Sequence, residues 1–416
     1  MEFAAAERHD GKGDEAAMSF SRSQLFWSAS IFSAAFFVRY LYGIVIVGPT
    51  TWSDSTMFLA HAQAVQAGYS YGMPDRPPLF PYMVALISSL TGEVNLSVTL
   101  YQIVISSLTA VLIYALGAQL FSGVVGRLAG WLAVIYYPFV NSARLIDSDT
   151  QFPFLLTLTA FLLVKARSIW HYAIAGIVFG LACLTRGAGL FALPFILLFW
   201  FTPYGQSEGR GRAAVAFTVA TLLVLTPWTI RNWTMYGAVI PVSSEGAYNL
   251  FQGSQVSFLE SRSINGQLLS AITGDPTMNG VKAIQPQYQP ALVAYVASLW
   301  RTEPATQLWL RLISFADFWS PIERVRYYTV GMSTVYSMTL YAIVLFFFLV
   351  GVGWVLWQRR SPVFFLLGSI VGVTVLHTLS HAEQSRYRLQ IEPFLIVIAM
   401  YGLVSLHQHY TAKGVS

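Results

Sequence analysis

Long apolar runs separated by short polar breaks make up most of this chain. The first run, 24 to 47, exceeds the about 20 residues that cross a bilayer as a helix. It is longer than a signal-peptide core and lacks a small-residue cleavage site, so it predicts an uncleaved first helix. Further spans are expected at about 95 to 121, 127 to 143, 150 to 166, 169 to 185, 187 to 202, 213 to 230, 334 to 357, 362 to 380 and 389 to 407, which makes ten. The hairpin at Gly187-Ala188-Gly189, just after Arg186, is very tight. Two regions break the alternation. In the first, Asp54, Phe58, His61 and Val65 recur at helical spacing up to a stop at Gly68, and Asp54 and His61 share a face. Asp75, Arg76 and the pair Pro77-Pro78 then make a turn into a helix from Leu79 to Leu90, which is too short to span and reads as re-entrant or interfacial. The second region, 231 to 332, has mixed polarity and several prolines, and Ala291 to Trp319 predicts two amphipathic helices divided at Glu303-Pro304.

Composition fixes the class. Of 416 residues, 55% are hydrophobic and 10% charged, against about 25% charged in a soluble domain, and mean hydropathy is +0.57. This is an all-α polytopic membrane protein in contact with the lipid bilayer. The net charge of +5 reflects basic cytoplasmic loops, not a nucleic-acid partner. One cysteine, Cys183, excludes an intrachain disulfide and a cysteine-based zinc cluster. With the N-terminus inside, Arg127, Lys165 and Arg167, Arg210 and Arg212, Arg359 and Arg360, and Lys413 all fall on the cytoplasmic side. The expected organisation is a cytoplasmic tail (1–23), an N-terminal transmembrane module (24–230) with an outer loop (48–93), a periplasmic segment (231–332), C-terminal spans (333–408) and a second tail (409–416).

Charges on the outer side are the candidate chemistry. Arg76, Arg144, Arg231, Arg262, Arg301, Arg311, Arg324, Arg326, Arg386 and Arg388 lie there against the positive-inside tendency, which calls for an anionic ligand. Asp54 and the Asp147-Ser148-Asp149 loop lie on the same side, where they either cap the following helices or converge as a site. Converging carboxylates deprotonate a hydroxyl or hold a divalent cation, and the sequence leaves that choice open. Arg39, within the first span, either snorkels to the interface or faces the bundle to meet an anion. His377 and His381 are four apart but lack a third zinc ligand. No phosphate-cradling glycine loop or nucleophile elbow is present.

Three stretches carry a family resemblance: the Asp54 loop with Arg76-Pro77-Pro78-Leu79-Phe80-Pro81, then Gly180 to Arg186, then Pro227-Trp228-Thr229-Ile230-Arg231-Asn232-Trp233. Together with Asn249 to Gly253 and Arg386-Tyr387-Arg388, they resemble the glycosyltransferase-C superfamily, and within it the protein mannosyltransferase and aminoarabinose transferase branch (glycosyltransferase family 39). The resemblance, closest to bacterial members, implies an inner (plasma) membrane enzyme with its site facing the periplasm, lumen or exterior. It also implies a polyprenyl-phosphate sugar donor, a lipid, glycan or protein acceptor, and an acid of the first outer loop as catalytic base. Asp54 matches that base, and Asp149 or Asp147 matches a second acid that is typical of the next outer loop. Many protein mannosyltransferases carry an Asp-Glu pair in the first loop, whereas this chain has Asp54-Ser55, a departure that weakens the transfer of a protein acceptor.

The expected reaction is an inverting displacement in which a lipid phosphate leaves. Asp54 and Asp149 are the catalytic candidates; Asp147, His61, Arg76, Arg231, Arg386, Tyr387 and Arg388 are candidates for holding substrate. A divalent cation on Asp54 and Asp149 could supply part of the positive charge. The rivals are a transporter or lipid flippase and a non-catalytic assembly subunit. A transporter typically shows internal repeats and mid-span charges, and neither is evident here.

Overall fold

Pro138 and Arg39 account together for the first departure from the expected pattern. The run 127 to 143 is not one helix but two, α5 (Gly123–Ile135) and α6 (Tyr137–Ser142), separated by an extended Tyr136 with Pro138 in the first turn of α6. Proline has no N–H to donate and its ring collides with the carbonyl four residues back, so the ladder stops and carbonyls are left over. Arg39 takes them. It sits near the end of α1 (Arg22–Tyr40), fully buried, and donates to the Ala133 and Val134 carbonyls at 3.0 and 3.3 Å and to the Ser106 hydroxyl at 2.7 Å. Arg39 therefore neither snorkels nor meets an anion.

The computed structural model describes residues 21–51, 53–201, 209–257, 265–321, 332–358, 363–380 and 385–413. Residues 1–20 of the first tail and 414–416 of the second, and Arg262, Arg324, Arg326, Arg359, Arg360 and His381, lie outside the described residues. Among the described residues there are 18 α-helices and no strand beyond a single bridge. Four helices are long and apolar enough to cross a membrane: Arg22–Ile46, Asn95–Leu120 (α4), Arg210–Tyr236 (α10) and Ser333–Trp357. The other six expected spans correspond to shorter or more polar helices, namely the broken α5 and α6, α7 (Gln151–Lys165), α8 (Ile169–Thr185), α9 (Ala188–Ile196) and, later in the chain, Phe364–Ser380 and Glu392–Lys413. Helix α10 overruns its apolar core at both ends and stops at Gly237, whose φ of 64° is the left-handed value that terminates helices.

Close packing joins the bundle. Helix α8 runs along α7 and α10, and α4 packs on α1, α5 and α7. Outside this core, α2 (Ser53–Gln66) and α3 (Leu79–Thr91) form a hairpin with its own cluster, Phe58, Ala62, Phe80, Val84 and Ala85, closed by Val98 and Ile146. Helix α2 ends just before Gly68, which has φ 76°. The segment after α10 builds a third small core. Helices α11 (Gly246–Gly253), α12 (Gly266–Thr273), α13 (Gly280–Ala283) and α14 (Gln289–Thr302) bury Phe251, Leu269, Met278, Ala283, Leu292 and Val296 there. Helix α15 (Pro304–Trp319) follows across Glu303, then α16 (Met332–Trp357), α17 (Phe364–Ser380) and α18 (Glu392–Lys413). Helices α16 and α18 approach so closely that a Cβ at Gly402 would overlap the Phe347 carbonyl.

Candidate active site

Backbone and side-chain ties gather Asp54, the Asp147–Asp149 loop and Arg76. Thr50 pairs with the 144–146 strand-like stretch, its N–H donating to the Arg144 carbonyl at 3.1 Å and its carbonyl accepting from the Ile146 N–H at 3.3 Å. That bridge places the start of α2, and hence Asp54, beside the Asp147 loop. On the other flank, the Ser244 N–H donates to the Pro74 carbonyl at 2.7 Å, which holds the turn carrying Arg76 against the chain leaving α10. That chain doubles back because the Trp228 indole N–H and the Asn232 amide donate to the Val242 and Ile240 carbonyls at 2.7 and 2.9 Å.

Asp54 lies in the first turn of α2 and accepts from two arginines at once. Arg76 Nη2 donates to Oδ1 at 3.1 Å and Arg386 Nη2 to Oδ2 at 2.5 Å. The other arm of Arg76 reaches Glu245 Oε2 at 2.5 Å, while Arg386 Nη1 lies 4.0 Å from Asp147 Oδ2. Asp149 pairs with Arg186, the residue that ends α8. It does not cap α7, whose N-cap is Thr150 and carries no side-chain bond. Tyr387 lies under this arrangement, its ring 5.1 Å from the Arg386 guanidinium and 5.4 Å from that of Arg186, and stacked on His377 at 4.4 Å.

Accessibility separates the carboxylates. The Asp54 side chain is 20% exposed, against 1% for Asp147 and 6% for Asp149, so Asp54 is the one an incoming group can reach. Burial alone would raise the Asp54 carboxyl, but the Arg386 and Arg76 charges outweigh it and hold the group below the ordinary aspartate value. Glu245 shows the opposite balance: burial pushes its carboxyl up and Arg76 only partly offsets that.

The remaining expected residues lie elsewhere. His61 is engaged within its own loop, with Nδ1 2.9 Å from the Tyr71 carbonyl and Nε2 2.9 Å from Asp75 Oδ1, and its ring stacks on Tyr71. Arg231 donates to the Gly72 carbonyl at 2.6 Å and packs against Trp228, so it secures the loop between α2 and α3. Arg388 is turned into the protein, with Nε on Glu392 at 3.0 Å and Nη1 on the Phe318 and Ser320 carbonyls at 2.9 and 3.1 Å. Arg388 and Glu392 make an i,i+4 pair. Here both side chains are buried, which makes it a structural tie, not a ligand site.

Two site residues were missed. Arg186 stands at the outer end of the span 169 to 185 by the same alternation that placed the other arginines outside, so topology alone could have flagged it. Glu245 carried no signal of its own, since one acid in a long polar segment is unremarkable until the Ser244–Pro74 bond brings it to Arg76.

A divalent cation on Asp54 and Asp149 would compete with the arginines that pair with them. Both Asp54 oxygens receive guanidinium N–H groups and Asp149 receives Arg186, so a metal would have to displace arginines. Among the described residues no group of three or more His, Cys, Asp or Glu side chains is disposed to hold a metal.

Residues 75–230 match the model of the dolichyl-phosphate-mannose-protein mannosyltransferase family. No curated protein sequence matches the chain. Among solved structures, the oligosaccharyltransferase AglB from Archaeoglobus fulgidus, in complex with an inhibitory peptide and a dolichol-phosphate, is similar over 95% of this chain and 52% of its own, at 14% identity and a TM-score of 0.57. The apo form of the oligosaccharyltransferase from the same organism aligns over 95% and 53% at 15% identity, also with a TM-score of 0.57. A complex of that protein with Zn and sulfate gives 0.56 at 14% identity, covering 91% and 49%. The chain thus spans about half the length of these structural relatives. What it shares with them is the glycosyltransferase-C fold, so the protein is an integral membrane protein of that fold. The resemblance to the mannosyltransferase branch is borne out by the family match over residues 75–230.

Proposed function

We propose that this protein is a membrane glycosyltransferase that moves a sugar from a polyprenyl-phosphate donor to an acceptor at its outer, periplasmic face by inverting displacement. The observation that carries this reading is the accessible Asp54 carboxylate bridging Arg76 and Arg386 next to a match with a mannosyltransferase family model. The AglB neighbour was solved with a dolichol-phosphate, which supports the same class of ligand.

The chemistry follows from the cluster. The acceptor oxygen forms a bond to the anomeric carbon while the bond from that carbon to the phosphate oxygen breaks, and the electron pair leaves on the lipid phosphate. Arg386 and Arg76 hold that phosphate, because the planar guanidinium pairs with two oxygens and stays charged. Asp54 takes the acceptor's proton. In the free protein the two arginines make Asp54 a weak base. A donor phosphate that draws them away returns its carboxyl toward the ordinary value, so the base strengthens as the donor arrives. An acceptor that is itself an ionised phosphate would need no base. Arg186 and Tyr387 form the floor of the site and keep Asp149 and Arg386 in place.

The test is the purified protein with a panel of polyprenyl-phosphate sugars, scored for donor hydrolysis and for transfer. Turnover of one donor that is lost in Asp54→Asn supports the reading. Intact, folded protein that turns over none of the panel would leave transport or assembly as the better account.

A further inference from the structure

Helix α15 is inverted relative to a water-facing amphipathic helix. Gln307, Arg311 and Ser314 face inward and are buried, and Leu308, Trp309, Leu312 and Phe315 face outward at 49–61% exposure. Most of the inward polar atoms are met by protein, Gln307 Oε1 and Arg311 Nε being the two that are not. Gln307 donates to the Ser254 carbonyl, Arg311 to the Gly253, Thr378 and Leu379 carbonyls, and the Ser314 hydroxyl to the Leu310 carbonyl. A helix that hides its polar side and shows its apolar side is built for an apolar solvent. The adjoining surface points to the same solvent. Helix α17 exposes Val371, Val375 and Leu379, a stripe at i, i+4 and i+8, and Arg311 joins α15 to the very end of that helix.

We infer that α15 lies in the outer leaflet with Leu308, Trp309, Leu312 and Phe315 against lipid acyl chains, so that part of the segment read from sequence as periplasmic is embedded in the membrane. Its far end meets the site, since the Phe318 and Ser320 carbonyls accept from Arg388, two residues from Arg386. The embedded helix thereby holds the 385–390 turn at the level where a lipid phosphate would lie. The placement of α15 rests on packing alone and stands whether or not the chain transfers a sugar.

Spin labels on single introduced cysteines test it in nanodiscs of the purified full chain, since the native Cys183 is buried and out of a label's reach. Leu312→Cys is compared with Val375→Cys on the α17 stripe and with Gln267→Cys on the exposed face of α12. Collision with oxygen relative to a water-soluble nickel chelate should place Leu312→Cys with Val375→Cys, at least about threefold above Gln267→Cys. A ratio equal to that of Gln267→Cys would put α15 in water and overturn the inference. Should Leu312→Cys fail to fold, Phe315→Cys gives the same reading one turn further on.

Discussion

Replacing Asp54 by asparagine separates chemistry from binding, because the change keeps the side-chain shape and removes the charge that two arginines share. Three effects of different size follow. Stability falls by the loss of two charge-assisted bonds, at 3.1 and 2.5 Å. Exposed pairs contribute about 0–1 kcal/mol each and broken buried pairs cost about 3–5, so a carboxylate one-fifth exposed implies about 1–3 kcal/mol in all. Turnover falls by about 10² to 10⁴, the usual cost of removing a general base, or about 3–5 kcal/mol of barrier. Donor affinity holds or rises, since Arg76 and Arg386 no longer have to leave a carboxylate to meet a phosphate. The assay combines single-turnover transfer, direct donor binding and thermal unfolding in nanodiscs. Turnover within tenfold of wild type, or donor affinity lost in step with turnover, would show that Asp54 only organises the arginines. The pH dependence has a fixed sign. A carboxyl held below its ordinary value contributes stability above about pH 3.9 and loses it as pH falls through the lowered value. The stability gap between wild type and Asp54→Asn should therefore be flat from about pH 5 to 8 and close only in stronger acid.

Arg386→Lys keeps the charge but loses the fork and should weaken donor binding about tenfold, whereas Arg231→Lys, whose arginine is held on the Gly72 carbonyl, should leave it unchanged; equal losses measured for the two variants would move the phosphate toward α10. Glu245→Gln removes a carboxyl that burial holds above its ordinary value, so wild type should lose stability relative to the variant as pH rises through the interval just above about 4.3, and parallel unfolding curves across that interval would contradict the balance described. Gly402→Ala places a methyl group against the Phe347 carbonyl at the α16–α18 crossing and should cost about 1–3 kcal/mol in thermal unfolding; an unchanged midpoint would refute so close a crossing.

Which charges stand near the ends of apolar helices was legible in the sequence, and how each helix is turned was not. Hydropathy located Asp54, Asp149, Arg231 and Arg386 at span ends, because transfer cost depends on depth and little else. Which of those ends meet depends on how each helix is turned and tied, through contacts such as Thr50 with Arg144 and Ser244 with Pro74, and these involve backbone groups common to every residue. Arg231 and Arg386 were therefore equivalent in sequence and are distinct in the fold, one on a loop carbonyl and the other on Asp54. The α2–α3 hairpin was legible because its signals are local: helical spacing, a stop at Gly68 with positive φ, and a proline pair before Leu79. The break at Tyr136 was not, although Pro138 was in view, since apolar runs in membranes tolerate proline wherever a neighbour can take the freed carbonyls. That neighbour proved to be Arg39, about a hundred residues earlier in the chain. The same reasoning explains why buried arginines were overread as ligand sites. Arg39, Arg311 and Arg388 all end on backbone carbonyls at helix ends, where a guanidinium supplies the donors that water cannot. Arg76 and Arg386 instead hold carboxylates that are within reach of solvent. An arginine on a carbonyl completes a helix, whereas an arginine on an exposed carboxylate can exchange that partner for a phosphate, and this distinction singles out Arg76 and Arg386 as the pair to mutate.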